Sequence, residues 1–311
     1  MRILLTGAAG FLGSHLVEKF LNNNFTVIAV DDLSSGSLEN LKKFDNLSNF
    51  SFLKHDVRVP INLQADIILN LACPASPKHY QFDPIKTIET NFLGMSNLLQ
   101  LAKKNGAKIL QASTSEIYGD PMVSPQNESY WGNVNPIGIR SCYDEGKRAA
   151  ETLCFDYKRQ FNLDVRVIRI FNTYGPKMSV HDGRVVSNFI TQAIDNQSIT
   201  IYGTGSQTRS FCYVSDTVEA IFKVATLNLN FQSPINLGNP FEFTINELAE
   251  QILRLTNSRS KIIHSDLPLD DPSQRKPDIS LAKKILNWEP KIDLQNGLLE
   301  TIKYFQNLNR E

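Results

Sequence analysis

Arg2-Ile3-Leu4-Leu5-Thr6-Gly7-Ala8-Ala9-Gly10-Phe11-Leu12-Gly13 is a short apolar run that breaks on three glycines spaced G-x-x-G-x-x-G. A helical pattern follows through Leu21, and an apolar run returns at Phe25–Val30. Strand, glycine turn, helix and strand, in that order, are the opening unit of a doubly wound α/β sheet that binds a dinucleotide. The glycines let the backbone approach a pyrophosphate, and the helix N-terminus offers oriented N–H groups to hold it. Gly7, Gly10, Phe11, Leu12 and Gly13 are therefore cofactor candidates. Asp31 follows the second strand, with Asp32 beside it. A carboxylate there accepts hydrogen bonds from an adenosine ribose and repels a 2′-phosphate, which selects NAD over NADP.

The alternation continues outward from this unit. Phe50–Leu53, Asp66–Ala72, Ile109–Ser113 and Val165–Ile170 read as further strands. Pro84 starts a helix to about Lys104, with Ile85, Ile88, Phe92, Met95 and Leu99 on its apolar face. A second helix, Tyr143 to Gln160, packs through Ala150, Leu153, Cys154 and Tyr157. From Asn172-Thr173-Tyr174-Gly175-Pro176 the pattern changes. A helix opens in Gly183–Phe189, Ile199–Tyr202 is a strand, Asp216 suits a helix N-cap, and Pro234–Leu237 is the last core strand. Thr244-Ile245-Asn246-Glu247 is a capping box for a helix to about Thr256. A strand at Lys261–His264, a polar loop over 270–278 and two short helices around Trp288-Glu289-Pro290 finish the chain. The expected architecture is a mostly parallel Rossmann sheet in residues 1–171, completed by about 211–238. Residues 172–210 and 239–311 form a smaller α/β substrate lobe.

With 311 residues the chain can bury a full α/β core and keep material for that second lobe. Thirty-two basic residues balance thirty-two acidic ones, so no charge excess argues for nucleic acid or an anionic membrane. No run approaches the length of a membrane span. Cys73, Cys142, Cys154 and Cys212 contain no C-x-x-C pair, and the five histidines are scattered. A reduced, cytoplasmic compartment and no metal are expected.

Chemistry concentrates between Ser113 and Lys147. Ser113-Thr114-Ser115-Glu116 follows a strand and reaches its C-terminal edge, where ligands gather in doubly wound sheets. Tyr143 and Lys147 lie one helical turn apart on one face. An ammonium about 5 Å from a phenolate at an effective dielectric of about 20 is worth roughly 3 kcal/mol. That lowers a phenol of ordinary pKa about 10 by roughly two units, towards a general base. An isolated Tyr-x-x-x-Lys is more often a plain amphipathic pair; the preceding fingerprint gives this one its weight.

The G-x-x-G-x-x-G spacing followed by Tyr143 and Lys147 resembles the short-chain dehydrogenase/reductase superfamily. Longer strings narrow the resemblance. Asn91, Ser113–Pro121, Asn135-Pro136-Ile137-Gly138, Ser141–Arg148, Asp182–Phe189, Gln207–Asp216 and Arg275-Lys276-Pro277-Asp278 look like the UDP-glucuronate decarboxylase (UDP-xylose synthase) family. The match runs from Arg2 to at least Trp288.

The resemblance implies that Asp56 and Val57 contact the adenine and that Leu71 and Ala72 border the nicotinamide. It implies UDP-glucuronate as substrate, Tyr143 as the base at O4 with Lys147 supporting it, and Thr114 as oxyanion donor. Ser115 and Glu116 would orient the carboxylate and manage protons, and Arg275 would act as general acid or clamp. Asn172, Arg184, Val185, Asn188, Tyr202 and Arg209 would hold the nucleotide and pyrophosphate. Membrane-bound relatives carry an anchor before the fingerprint, so a soluble form is implied, as is a homodimer packed through Ile85–Leu101 and Tyr143–Gln160. The alternatives are an oxidative decarboxylase that releases a 4-keto pentose and NADH, a 4-epimerase, and a 4,6-dehydratase. The dehydratase typically has Asp-Glu where Ser115-Glu116 stands. A non-catalytic NAD sensor often lacks the Tyr-Lys pair.

Overall fold

The computed structural model describes residues 1–267, 272 and 274–308. In chain order the first strands are β1 (Arg2–Thr6), β2 (Thr26–Asp31), β3 (Phe50–Lys54), β4 (Ile67–Asn70), β5 (Lys108–Thr114) and β6 (Val165–Ile170). They are followed by β7 (Thr173–Tyr174), β8 (Ile199–Tyr202), β9 (Thr208–Ser210), β10 (Cys212–Tyr213) and β11 (Ile235–Leu237). The last are β12 (Glu242–Thr244), β13 (Ile262–Ser265) and β14 (Gln274–Arg275). The central sheet has seven strands in the order β11-β6-β5-β4-β1-β2-β3. Every pairing in it is parallel. Because β2 and β3 run outward one way from β1 and β4 to β6 the other, the order reverses beside β1, and a crevice opens at the C-terminal strand ends.

Strands covered on both faces need apolar residues on both, and β4 is buried at each of its four positions. One face carries α1 (Phe11–Asn22). The helices α2 (Pro77–Tyr80), α3 (Pro84–Glu89), α4 (Met95–Asn105) and α5 (Ser141–Phe161) follow, and α4 and α5 cover the opposite face. Further on come α6 (Val185–Ile194), α7 (Val214–Thr226), α8 (Ile245–Thr256), α9 (Ser280–Leu286) and α10 (Leu294–Leu308). Leu16, Val17 and Phe20 of α1 pack with Ile221 of α7 and Leu286 of α9. A separate apolar cluster joins α6, β8, α8 and α10 through Phe189, Ile201, Leu248 and Phe305.

Several sequence expectations shift. The helix expected from Pro84 to Lys104 is broken into α3, a π-helical turn at Thr90–Gly94, and α4. Thr90 Oγ1 donates to Lys86 O at 2.7 Å and Asn91 Nδ2 to Thr87 O at 3.0 Å, so side chains engage the carbonyls of the preceding turn. Its apolar stripe divides as well: Met95 and Leu99 are buried, whereas Ile85 is 70% exposed and Ile88 and Phe92 are exposed too. Asp216 is not an N-cap. It lies within α7, whose N-cap is Tyr213, and its Oδ2 accepts the backbone N–H groups of Lys291 (3.0 Å) and Ile292 (2.9 Å). The strand expected at 66–72 stops at Asn70, whose Oδ1 accepts the Ala72 N–H at 3.2 Å and turns the chain. The final helix, α10, runs for 15 residues and is not short. Asp270, Asp271 and Ser273 of the expected polar loop lie outside the described residues; Gln274 and Arg275 form β14. The capping box forms as read, with Glu247 N donating to Thr244 Oγ1 at 3.0 Å and Thr244 N to Glu247 Oε2 at 2.7 Å.

Candidate active site

The glycine turn forms a cradle at the end of β1. Gly7 has φ +70°, a left-handed conformation that disfavours side chains, and a Cβ on Gly13 would sit 2.0 Å from Gly7 O. Helix α1 starts behind Gly10 with no side-chain cap, so its first-turn N–H groups face the crevice without a side-chain acceptor. This cradle fits a dinucleotide pyrophosphate. Asp31 is the last residue of β2; its Oδ2 accepts from Ala9 N at 2.9 Å and its Oδ1 from Leu33 N at 2.8 Å. Burial pushes its carboxyl up, and those two N–H groups pull partly back. Asp32 pairs with Lys86 at 2.7 Å and Asp56 with Arg58 at 2.8 Å. Asp31, Asp32, Asp56, Val57, Leu71 and Ala72 line a small cavity that shares Gly7, Gly10 and Leu71 with a larger one.

That larger cavity, about 880 Å³, is lined by Phe11, Leu12, Gly13, Thr114, Ser115, Glu116, Tyr143 and Lys147. β5 delivers Thr114 at its last position, and a 3₁₀ turn from Ser115 to Tyr118 swings Glu116 inward, with Thr114 Oγ1 accepting the Glu116 N–H at 3.2 Å. The first turns of α5 supply Tyr143 and Lys147. Lys147 Nζ donates to Ala112 O at 2.9 Å and lies 5.7 Å from the Tyr143 ring centre. The Tyr143 ring stacks on Tyr80 with centres 5.1 Å apart and planes 8° from parallel.

The expected lowering of the Tyr143 phenol is overturned in this geometry. Burial, aided by Cys73, pushes it well above its ordinary value, and a Thr114 hydrogen bond opposes this. Burial also pushes the Lys147 ammonium down. Desolvation here outweighs the Coulombic gain reckoned from spacing alone.

Glu116 is the electrostatic centre. Arg140 meets its Oε2 at 2.5 Å and Arg275 at 3.2 Å, while Arg275 also donates to Ser115 O at 2.7 Å. Burial would raise Glu116, but Arg275, Arg140 and Arg209 hold it below the ordinary carboxylate value. Neighbouring Asp144 goes the other way: burial first, then the Glu116 charge, push it up to about 7. Asp144 Oδ1, Tyr80 Oη and Arg275 Nε are buried without a hydrogen-bond partner.

Asn172, Arg184, Val185, Asn188, Tyr202, Arg209 and Arg275 also line the larger cavity. Arg184 is the N-cap residue of α6; its Nε and a terminal nitrogen each meet Asp182 at 2.6 Å. Asn188 Nδ2 donates to Gly183 O at 3.0 Å, and Arg209 donates to Thr208 O at 2.9 Å and Pro272 O at 2.5 Å. The structure thus brings every predicted site residue to two adjoining cavities. Sequence reading missed Arg140, Tyr80 and Asp144. Arg140 falls between two matched strings, Tyr80 sits on a helix of one turn, and Asp144 looks like an exposed first-turn acid.

The NAD dependent epimerase/dehydratase family matches residues 3–238. The chain belongs to this family. Its cofactor is NAD. UDP-glucuronic acid decarboxylase 3 of Arabidopsis thaliana is 55% identical over 96% of this chain and 87% of that protein. Among solved structures, the chain resembles UDP-glucose 4-epimerase of Thermotoga maritima with UDP-glucose. They are 28% identical with TM-score 0.91, over 99% of this chain and all of that one, 100%. UDP-glucuronic acid 4-epimerase of Bacillus cereus, in complex with UDP-glucuronic acid and NAD, is 26% identical with TM-score 0.88, over 99% and 100% of the two chains. No helix among the described residues is long and apolar enough to cross a membrane.

Proposed function

We propose that this chain is a UDP-glucuronate decarboxylase that forms UDP-xylose and carbon dioxide. The observation that carries the reading is Arg275, buried in the wall of the cavity that Tyr143 also lines, with Nε unpartnered and Glu116 beside it. A guanidinium donor so placed suits a sugar carboxylate, which the substrates of neutral-sugar epimerases and dehydratases lack. Identity above one half to UDP-glucuronic acid decarboxylases over nearly the whole chain supports it.

Bound NAD would supply the hydride acceptor for oxidation at sugar C4 and the donor for its re-reduction. Tyr143, as a phenolate steadied by Lys147, accepts the O4 proton and becomes the phenol. Thr114 donates to the C4 oxygen as charge develops on it. Arg275 and Ser115 orient the C5 carboxylate while the C5–C6 bond breaks. The electron pair moves into the C4 carbonyl, carbon dioxide leaves, the enolate takes a proton at C5 from solvent, and Tyr143 returns its proton to O4 as C4 is reduced. Glu116, ionised among its arginines, orients Arg275 and the sugar. Arg184 and Arg209 hold the pyrophosphate, and Asn172, Val185, Asn188 and Tyr202 hold the remaining nucleotide. Gly7 to Gly13, Asp31, Asp32, Asp56, Val57, Leu71 and Ala72 hold the dinucleotide.

The two-lobe division, 1–171 with about 211–238 against 172–210 with 239–311, rests on the separate cluster around Phe189 and Leu248. The chain forms a homodimer through α3, the π turn and α5, supported by exposed Ile85, Ile88 and Phe92; light scattering should read twice the chain mass. Four free cysteines fit the reducing cytoplasm. The function is tested with Tyr143→Phe, which keeps the ring stacked on Tyr80 but removes the proton acceptor. Turnover of UDP-glucuronate should fall about 10²–10⁴-fold with NAD binding unchanged. Near-normal turnover would remove Tyr143 from the chemistry.

A further inference from the structure

Arg275 reaches Ser115 and Glu116 from a strand of only two residues. One side of that strand pairs with β9, Arg275 opposite Arg209. The residues just after Arg275 are held by Gln126, a fully buried side chain in the segment between β5 and α5. Gln126 N donates to Lys276 O, and Asp278 N donates to Gln126 O, both at 2.8 Å. Its side-chain Oε1 accepts the Lys276 N–H at 2.8 Å, and Nε2 donates to Val123 O at 2.6 Å. Asn236, on β11, fastens this splice to the sheet by donating to Gln126 O at 3.0 Å and Asp278 O at 3.2 Å.

A buried amide is costly unless bonded, so mere filling of this space would be served better by an apolar side chain. Here the amide holds the peptide that joins Arg275 to Lys276, which sets where the Arg275 side chain leaves the backbone. Gln126 does not line the cavity and cannot touch substrate. We propose that Gln126 is a positioning residue that fixes Arg275 against Ser115 and Glu116 and thereby sets the grip on the sugar carboxylate. The inference rests on the decarboxylase reading for what Arg275 grips. Small displacements of such a group are expensive, since a misplacement of about 1 Å can cost about 10²-fold in rate.

The test compares calorimetric affinities for UDP-glucuronate and for UDP in the NAD-loaded enzyme, made in a Tyr143→Phe background that suppresses turnover, with Gln126 and Arg275 intact, with Gln126→Ala, with Arg275→Ala and with both. Gln126→Ala should weaken UDP-glucuronate roughly ten-fold, the scale of a degraded charge-assisted hydrogen bond, and leave UDP unchanged. With Ala at 275 it should have no further effect, because the two residues act through one contact. Equal loss for both ligands, full additivity with Arg275→Ala, or wild-type preference in Gln126→Ala would each overturn the inference. Should Gln126→Ala fail to fold, Gln126→Glu carries the same comparison. It keeps the acceptor for Lys276 N–H, and when ionised it sets a carboxylate against the Val123 carbonyl. Its preference for UDP-glucuronate should then fall as pH rises, and a preference flat with pH and equal to wild type would count against the clamp. Failure of the decarboxylase reading shows earlier and separately, as a wild type that turns over no UDP-glucuronate.

Discussion

Asp31 helps build the small cavity beside the glycine turn. Its bond to Ala9 holds the glycine turn and its bond to Leu33 the loop after β2, and the proposed role of its charge is to meet the adenosine ribose. Asp31→Ala should therefore narrow the NAD preference over NADP and weaken NAD itself; calorimetry with both dinucleotides reads the gap, and equal wild-type affinities would contradict the assignment. Asp144 gives a pH prediction. Its folded carboxyl titrates at about 7 against 3.8 ordinarily. From pH about 4 to about 7 the unfolded chain releases this proton and the folded chain keeps it, so stability drains away as pH rises and levels off above. Asp144→Asn removes that loss, so its melting temperature should gain on wild type between pH 5 and pH 7.5; a constant difference would show Asp144 ionised throughout. Legibility at this scale follows spacing. Tyr143 and Lys147 are set by one helical turn, whereas the Arg140 and Arg275 contacts with Glu116 join distant segments that no periodicity connects. The direction of the Tyr143 shift was illegible because spacing carries a Coulombic partner but not the burial around it.

Elements were legible where local chemistry decides them. The Thr244 capping box is written in four residues, and it forms. Thr244→Ala should cost about 1 kcal/mol and lower the melting temperature by about 2–4 °C, measurable by calorimetry. An unchanged melting temperature would mean that α8 is held by Leu248 and Ile252 packing alone. The π turn at Thr90–Gly94 was not legible, since its apolar spacing suits a continuous helix and the Thr90 bond to the carbonyl four residues back recurs in regular helices, as at Thr226 and Thr301. Asp216 misled for a related reason: an acid near a helix start suits a cap, but its acceptors are used by the distant Lys291 and Ile292 amides.

Over the whole molecule, the reversal of strand order beside β1 sets the glycine cradle and the Thr114–Glu116 turn on one sheet edge. The second apolar cluster builds the wall that faces them. The glycine turn and the strand alternation foretold that edge. The closing of β14 and Gln126 over it was not foretold, because it joins three distant segments by backbone hydrogen bonds. The proposed reaction oxidises C4, releases the C5 carboxylate and restores C4 at one site, without net redox change. It is tested most directly by NMR of the product from UDP-glucuronate in D₂O with catalytic NAD. UDP-xylose with deuterium at C5 and protium kept at C4 is the expected product. A 4-keto pentose with NADH equal to turnover, or a sugar still carrying C6, would contradict it.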